Sequence, residues 1–361
     1  MRTLYSINEV TIVPAPVSSI RHRSECNPFY ENKKLPLFSA PMSCVINEKN
    51  YKEFERVGIN TILPRNISLD TRYKKCTNTF CAFGLEEAKS VFLNMKKDEF
   101  EKAKKENKTF YVCIDIANGH MEALLVLCKK LKCKFGHNIK IMTGNIARPS
   151  TYMEYAKIGI DYVRVGIGSG NVCTTSANVG VHYPMASLIK EIKIQADSLK
   201  FTHIKHRPYI VADGGFKNFD QINKALALGA DYVMLGEILA KSEEACGEIN
   251  HAYQPTKGWS EEDKKHLVWD ENNKCFYLRL REYYGMSTKQ AQVEFGKKGD
   301  KTAEGISKTV YIDYPIAKWV DNFKSYLQSA MSYTNCKTLD EFKNKVTCEL
   351  MTPSAYNSYF K

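Results

Sequence analysis

Eight short apolar runs, rich in β-branched residues, recur along the chain with helix-like stretches between them. They are LFSAP (Leu37 to Pro41), NTILPR (Asn60 to Arg65), CAFGL (Cys81 to Leu85), FYVCIDIA (Phe110 to Ala117), IKIMTGN (Ile139 to Asn145), DYVRVGI (Asp161 to Ile167), YIVADGG (Tyr209 to Gly215) and DYVMLG (Asp231 to Gly236). Several read as continuous apolar segments, the pattern of parallel strands buried on both faces. Eight strand–helix units in 361 residues fit an α/β fold of the (β/α)8 TIM-barrel type. A doubly wound open sheet is the alternative, because periodicity does not give strand order.

Polar or small residues close nearly every run. Examples are Ser39, Arg65, Asp115 with Asn118, Asn145, the loop from Gly166, Asp213-Gly214-Gly215, and Gly236. In a barrel these positions form the catalytic mouth. After the eighth run the pattern breaks, and residues 242–310 read as a long polar insertion that includes an active-site flap. YPIAKWVDNFKSYLQSAMSYT then reads as one amphipathic helix, and the chain from Leu339 as a helix with an irregular end. The expected organisation is one catalytic barrel over 1–361, with 311–361 as its C-terminal helical segment and tail.

The formal charge of +12 is spread over lysine and arginine clusters that suit solvated helix faces and draw anionic ligands. No nucleic-acid-binding motif accompanies it, so no nucleic-acid partner is expected. MRTLYSINEV lacks the apolar run of a secretory signal, and no stretch approaches the roughly 18 apolar residues of a membrane span. Twelve cysteines without a CxxC pair point to a reduced, cytoplasmic compartment rather than to disulfides or a zinc ribbon.

GIGSGNVCTT, from Gly166 to Thr175, fails both phosphate-loop patterns: it has no lysine, and its glycines are spaced GxGxG. What remains is a flexible collar around Cys173. An accessible thiolate is a covalent nucleophile, whereas most cysteines are small buried hydrophobes. Thr175 offers a hydroxyl for proton relay two residues on. Asp213 at a strand end suits ribose hydroxyls, and Gly214, Gly215 and Gly236 suit a phosphate held between the loops after strands seven and eight. Asp-Gly-Gly is also a common tight turn. Asp115 and Asn118-Gly119 suit a cofactor amide, or a turn alone. Ser287 and Thr288 stand at a possible helix start able to hold a phosphate or sugar oxygen. Glu304 is of interest only if the flap folds back over Cys173.

Taken together, LPLFSAPMS, DIANG, RVGIGSGNVCTT, GVHYP, VADGG, ADYVMLG, YYGMS and AEG resemble the IMP dehydrogenase and GMP reductase family, in the family's order and over most of the chain. The resemblance implies a TIM barrel in which Cys173 attacks C2 of a purine mononucleotide. It implies Thr175 and Glu304 as catalytic partners. Asp213, Gly214, Gly215, Gly236, Glu237, Gly285, Met286, Ser287 and Asn171 would line the nucleotide. Arg23, Arg65, Asp115, Ile116, Ala117, Ile167, Gly168 and Lys301 would meet the cofactor. Carbonyls at Gly168, Gly170 and Cys173 would hold a monovalent cation such as K+. A homotetramer is the family's usual assembly.

Three features bear on the reaction. The gap before DIANG leaves no room for the regulatory module that most of the family's dehydrogenases insert. The flap segment QVEFGKKGDKTAE lacks the Arg-Tyr pair with which those dehydrogenases activate water. YYGMS carries serine where they usually have glycine. These favour NADPH-dependent reduction of GMP to IMP over NAD-dependent oxidation of IMP, with a non-catalytic nucleotide-binding barrel as a further alternative. Ser169, Asn171 and Glu237 depart from the family pattern, and a carboxylate at Glu237 repels a phosphate unless a cation pairs with it.

Overall fold

The computed structural model describes residues 2–170, 172–202, 204, 206–253, 258–285, 288, 291, 293 and 305–359. After a short strand β1 (Val10–Val13), eight parallel strands follow: β2 (Leu37–Ser39), β3 (Ile62–Leu63), β4 (Phe80–Phe83), β5 (Phe110–Asp115), β6 (Ile139–Ile146), β7 (Tyr162–Val165), β8 (Tyr209–Asp213) and β9 (Tyr232–Leu235). Their order in the sheet is β2-β9-β8-β7-β6-β5-β4-β3. The first strand lies beside the last, which excludes the open doubly wound sheet. Asn60 closes the ring: its N–H donates to Leu37 O (3.0 Å) and its carbonyl accepts from Ser39 N (2.8 Å), bridging β2 to the start of β3. The fold is a TIM barrel, as the strand pattern predicts.

Alternate residues of each strand face opposite ways. Phe38, Ile62, Phe80, Ala82, Cys113, Met142, Val211 and Met234 fill the barrel interior. Their neighbours Leu37, Leu63, Phe83, Ile114, Ile141 and Val233 pack outward against the helices. Both sets are buried, so the sequence shows continuous apolar runs. The Phe38 ring meets Tyr232 (4.9 Å), Phe80 and Tyr162 (both 5.8 Å) edge-on inside the barrel. Truncating such a ring to alanine costs about 3–5 kcal/mol.

The eighth strand–helix unit is split. A short helix, Glu237–Ala240, follows β9, but the long helix Ile316–Tyr333 arrives only after the intervening segment. That helix buries Ile316, Trp319, Val320, Phe323, Leu327 and Met331, the i, i+3, i+4, i+7 stripe its sequence predicts. Between the two helices the chain builds an antiparallel sheet from β10 (Ile249–Tyr253), β11 (Val268–Asp270), β12 (Cys275–Tyr284) and β13 (Ser307–Tyr311). β10 lines one edge of β12, while β11 and β13 share the other at opposite ends. Polar composition hides this sheet because only Leu278, Arg281 and Tyr283 of β12 are deeply buried.

The end of the chain is not irregular. After the helix Leu339–Lys345, β14 (Thr347–Leu350) pairs antiparallel with β1 and joins the two ends of the chain. Nearby, Asp231 is wholly buried and accepts from Arg207 Nη1 (2.6 Å) and Lys343 Nζ (3.0 Å). All twelve cysteines are free thiols. Among the described residues no helix is long and apolar enough to cross a membrane.

Candidate active site

The strand ends converge on a cavity of about 1240 Å3. That exceeds the roughly 300–1,000 Å3 of a typical small-ligand pocket. Its wall includes a buried arginine, Arg164, that the motifs do not announce. Arg164 is the lone charge in the apolar run of β7, and that loneliness was its signal. Its Nη1 donates to Asp115 Oδ1 (2.5 Å), and its Nε and Nη2 donate to Asp213 Oδ2 (3.1 and 2.8 Å). Burial opposes the charge, yet Asp213 and Asp115 outweigh it and hold the guanidinium well above its ordinary pKa. Asn145 Nδ2 also donates to Asp213 Oδ2 (2.7 Å) and to Gly166 O (2.9 Å). Three donors fix one oxygen of Asp213, so the carboxylate has a set orientation beside the cavity.

The cysteine loop is stitched to this frame. Ser169 Oγ donates to Asp213 O (2.8 Å), and Ser176 Oγ donates to Gly168 O (3.1 Å). Gly215 has φ +86°, and a Cβ there would sit 2.6 Å from Ser169 O, so the Asp-Gly-Gly turn and the cysteine loop touch only because that side chain is absent. Cys173 is partly exposed in the cavity wall, and its thiol donates to Thr175 Oγ1 at 3.2 Å. Gly305 forms an antiparallel bridge with Cys173, and Ile306 N donates to Val172 O (3.0 Å). The chain leaving the flap is therefore tied to the cysteine loop itself.

Gly214, Gly215, Gly236, Glu237 and Gly285 line one part of the cavity, joined by Tyr283. A Cβ on Gly236 would lie 2.5 Å from Tyr283 Oη, so only glycine admits that phenol. Glu237 turns to Lys308 Nζ (2.7 Å), the neutralising cation its position requires. Asp115, Ile116, Ala117, Ile167, Gly168 and Arg65 line the cavity as well, and Arg65 also pairs with Glu87 (3.2 Å). Two more residues there escaped sequence reading. His120 accepts from Ala147 N at Nε2 (2.9 Å) and contacts Thr151 Oγ1 through Nδ1 (2.9 Å); burial, then Arg148, lowers its pKa. Arg148, exposed at the head of the helix Pro149–Ile158, makes no ion pair among the described residues.

Arg23 is not brought to this cavity. It lies on a short turn against the helix Ile316–Tyr333, with Nη1 3.4 Å from Ser329 Oγ. Gly170 lines the cavity, and its carbonyl accepts from Cys173 N (3.0 Å). Asn171, Met286, Ser287, Lys301 and Glu304 lie outside the described residues. Among the described residues no cluster of His, Cys, Asp or Glu has metal-site geometry.

Fold and cavity together define a TIM barrel whose ligand site is built from its strand-end loops. The profile of the IMP dehydrogenase / GMP reductase domain matches residues 5–358, and the chain belongs to that family. It is 30% identical to a GMP reductase of Buchnera aphidicola subsp. Baizongia pistaciae (strain Bp), over 87% of this chain and 82% of that protein. A GMP reductase of Vibrio atlanticus (strain LGP32) is 29% identical over 86% and 82%. One from Onchocerca volvulus is 28% identical over 69% and 60%.

Proposed function

We propose that this chain is a GMP reductase, converting GMP to IMP and ammonia at the expense of NADPH. The observation that carries this is the Cys173–Thr175 contact at 3.2 Å, with the chain leaving the flap bridged to Cys173. On this reading the Cys173 thiolate attacks purine C2. A C–S bond forms, the C2–N bond breaks, and the 2-amino group leaves as ammonia with a proton passed by Thr175 and Glu304. NADPH, when bound, supplies the hydride that C2 then requires. The C–S bond breaks as C2 gains that hydride, and Cys173 returns as thiolate. The absence of an Arg-Tyr pair in the flap sequence leaves water without an activating base there.

Asp213, oriented by Arg164 and Asn145, binds the ribose hydroxyls. The turns at Gly214, Gly215 and Gly236 present amides to the phosphate, with Tyr283 beside them, and Asn171 is a further donor for it. Glu237 is neutral to this phosphate because Lys308 holds it. Gly285, Met286 and Ser287 line the base. A cofactor fits the remaining volume, with Asp115, Ile116, Ala117, Ile167 and Gly168 against the nicotinamide riboside. Arg65, Lys301 and the unpaired Arg148 suit its phosphates; Arg148 takes the part that sequence reading gave to Arg23. Carbonyls of Gly168, Gly170 and Cys173 are oxygen donors suited to K+, and each accepting carbonyl retains a second lone pair. A cytoplasmic homotetramer completes the reading.

The test is turnover. Loss of NADPH absorbance with GMP, and release of ammonia, are expected. Cys173→Ala should lower the rate at least about 10³-fold while GMP binding changes little. NAD reduction with IMP and no NADPH oxidation would replace the reductase by the dehydrogenase. No turnover in either direction would leave a nucleotide-binding barrel.

A further inference from the structure

A second cavity, of about 610 Å3, opens behind the phosphate-side rim of the first. Glu237 belongs to both and forms part of the wall between them. Three lysines line the second cavity: Lys217 just before the helix Phe219–Ala227, Lys241 at the end of Glu237–Ala240, and Lys318 in the first turn of Ile316–Tyr333. Its two carboxylates are Glu237 and Asp313, and both are engaged by groups outside the lining. Lys308 Nζ lies 2.7 Å from Glu237, and His266 Nδ1 lies 2.6 Å from Asp313. Lys241 reaches Asp313 only at 3.9 Å, the outer limit of an ion pair. Lys217 and Lys318 make no ion pair among the described residues. Four ammonium groups, those of Lys217, Lys241, Lys318 and Lys308, thus face two carboxylates, and the lining is electropositive.

The floor says which part of a ligand it reads. Trp319 is buried, with Phe219 stacked on it at 5.2 Å and Phe323 at 5.5 Å. Trp319 is thus covered by its stacked neighbours, and the charged contacts the lining offers a ligand come from the three lysines. The volume is larger than one phosphate needs and lies within the small-ligand range.

We propose that this cavity binds a short polyphosphate chain, as carried by a nucleoside triphosphate, recognised through Lys217, Lys241 and Lys318 rather than through the base. The site lies outside the proposed reaction and does not depend on it. Through Glu237, its occupancy is felt electrostatically at the phosphate end of the catalytic cavity.

Titration calorimetry of the full-length protein with tripolyphosphate, then with ATP, tests this without any turnover. One salt-sensitive equivalent of tripolyphosphate is expected, with ATP binding within about threefold of it because the base adds little. Lys318→Glu should weaken binding about tenfold or more, Lys217→Glu with Lys318→Glu should remove it, and Lys318→Arg should retain it. None of these positions lines the catalytic cavity, so binding of the same anions there would survive the substitutions. Unchanged binding in the folded double variant would overturn the proposal, as would binding of ATP without tripolyphosphate or no saturable binding by the wild type. If the double variant fails to fold, Lys318→Met takes its place with the same criterion. A failed titration leaves the reductase reading untouched, and a failed turnover assay leaves this site untouched.

Discussion

Lys308 Nζ and Glu237 Oε2 lie 2.7 Å apart, joining the strand that follows the flap to the first residue of the helix after β9. Glu237 lines the cavity where the proposed reading places the nucleotide phosphate, and Lys308 cancels its charge. Lys308→Ala should raise KM for the nucleotide about tenfold, with a smaller change in kcat, because a bare carboxylate then faces the phosphate. Glu237→Gln in the same chain should restore most of the loss. Steady-state kinetics of the four proteins decide it. Equal KM values for the wild type and Lys308→Ala would remove the phosphate from this place.

Arg164 holds two carboxylates from two strands, and its removal leaves both buried without their cation. Arg164→Met should destabilise the fold by about 3–5 kcal/mol. Lysine offers one point charge in place of a fork, so Arg164→Lys should fall between the two. Thermal unfolding measures the order. A midpoint unchanged in Arg164→Met would show that the aspartates find other partners.

The strands and the cysteine loop were legible because burial on both faces writes apolar runs and small residues at strand ends are conspicuous. Arg164 is not legible as a site residue, since one charge in an apolar run looks like an exception until its carboxylates arrive from β5 and β8. The sheet around β12 was not legible. Arg281 is buried there, with Nη1 donating to Ala240 O and Ser242 O (both 2.6 Å), and no local pattern announces a buried arginine held by carbonyls. The β1–β14 pair joins segments from opposite ends of the chain, which no local window spans.

Asp231 sets an acid limit on the fold. Burial works against its charge, but Arg207 and Lys343 prevail and bring its pKa from 3.8 to about 2. A depressed folded-state pKa contributes stability above the unfolded value, and that stability fades as pH falls from about 4 toward 2. Asp231→Asn should cost about 3–5 kcal/mol at neutral pH by leaving Arg207 without its carboxylate and Lys343 with Asp340 alone. It should also flatten the dependence of the unfolding free energy on pH in that window. Urea titrations across the window measure both, and an equally steep dependence in Asp231→Asn would assign the acid sensitivity to other groups.

On the proposed reading, Arg148 belongs to the cofactor side of the cavity. It lines the large cavity, has no ion pair among the described residues, and stands at the head of the helix Pro149–Ile158. A guanidinium so placed suits a doubly charged phosphate ester. On the proposed reading, Arg148→Ala should raise KM for NADPH about tenfold and leave KM for GMP within about twofold. If the 2′-phosphate is what it meets, the preference for NADPH over NADH should shrink by the same factor, because NADH never made the contact. Equal losses with both cofactors would move Arg148 to the diphosphate they share. No loss with either would return the role to a residue outside this cavity, Arg23 being the first to test.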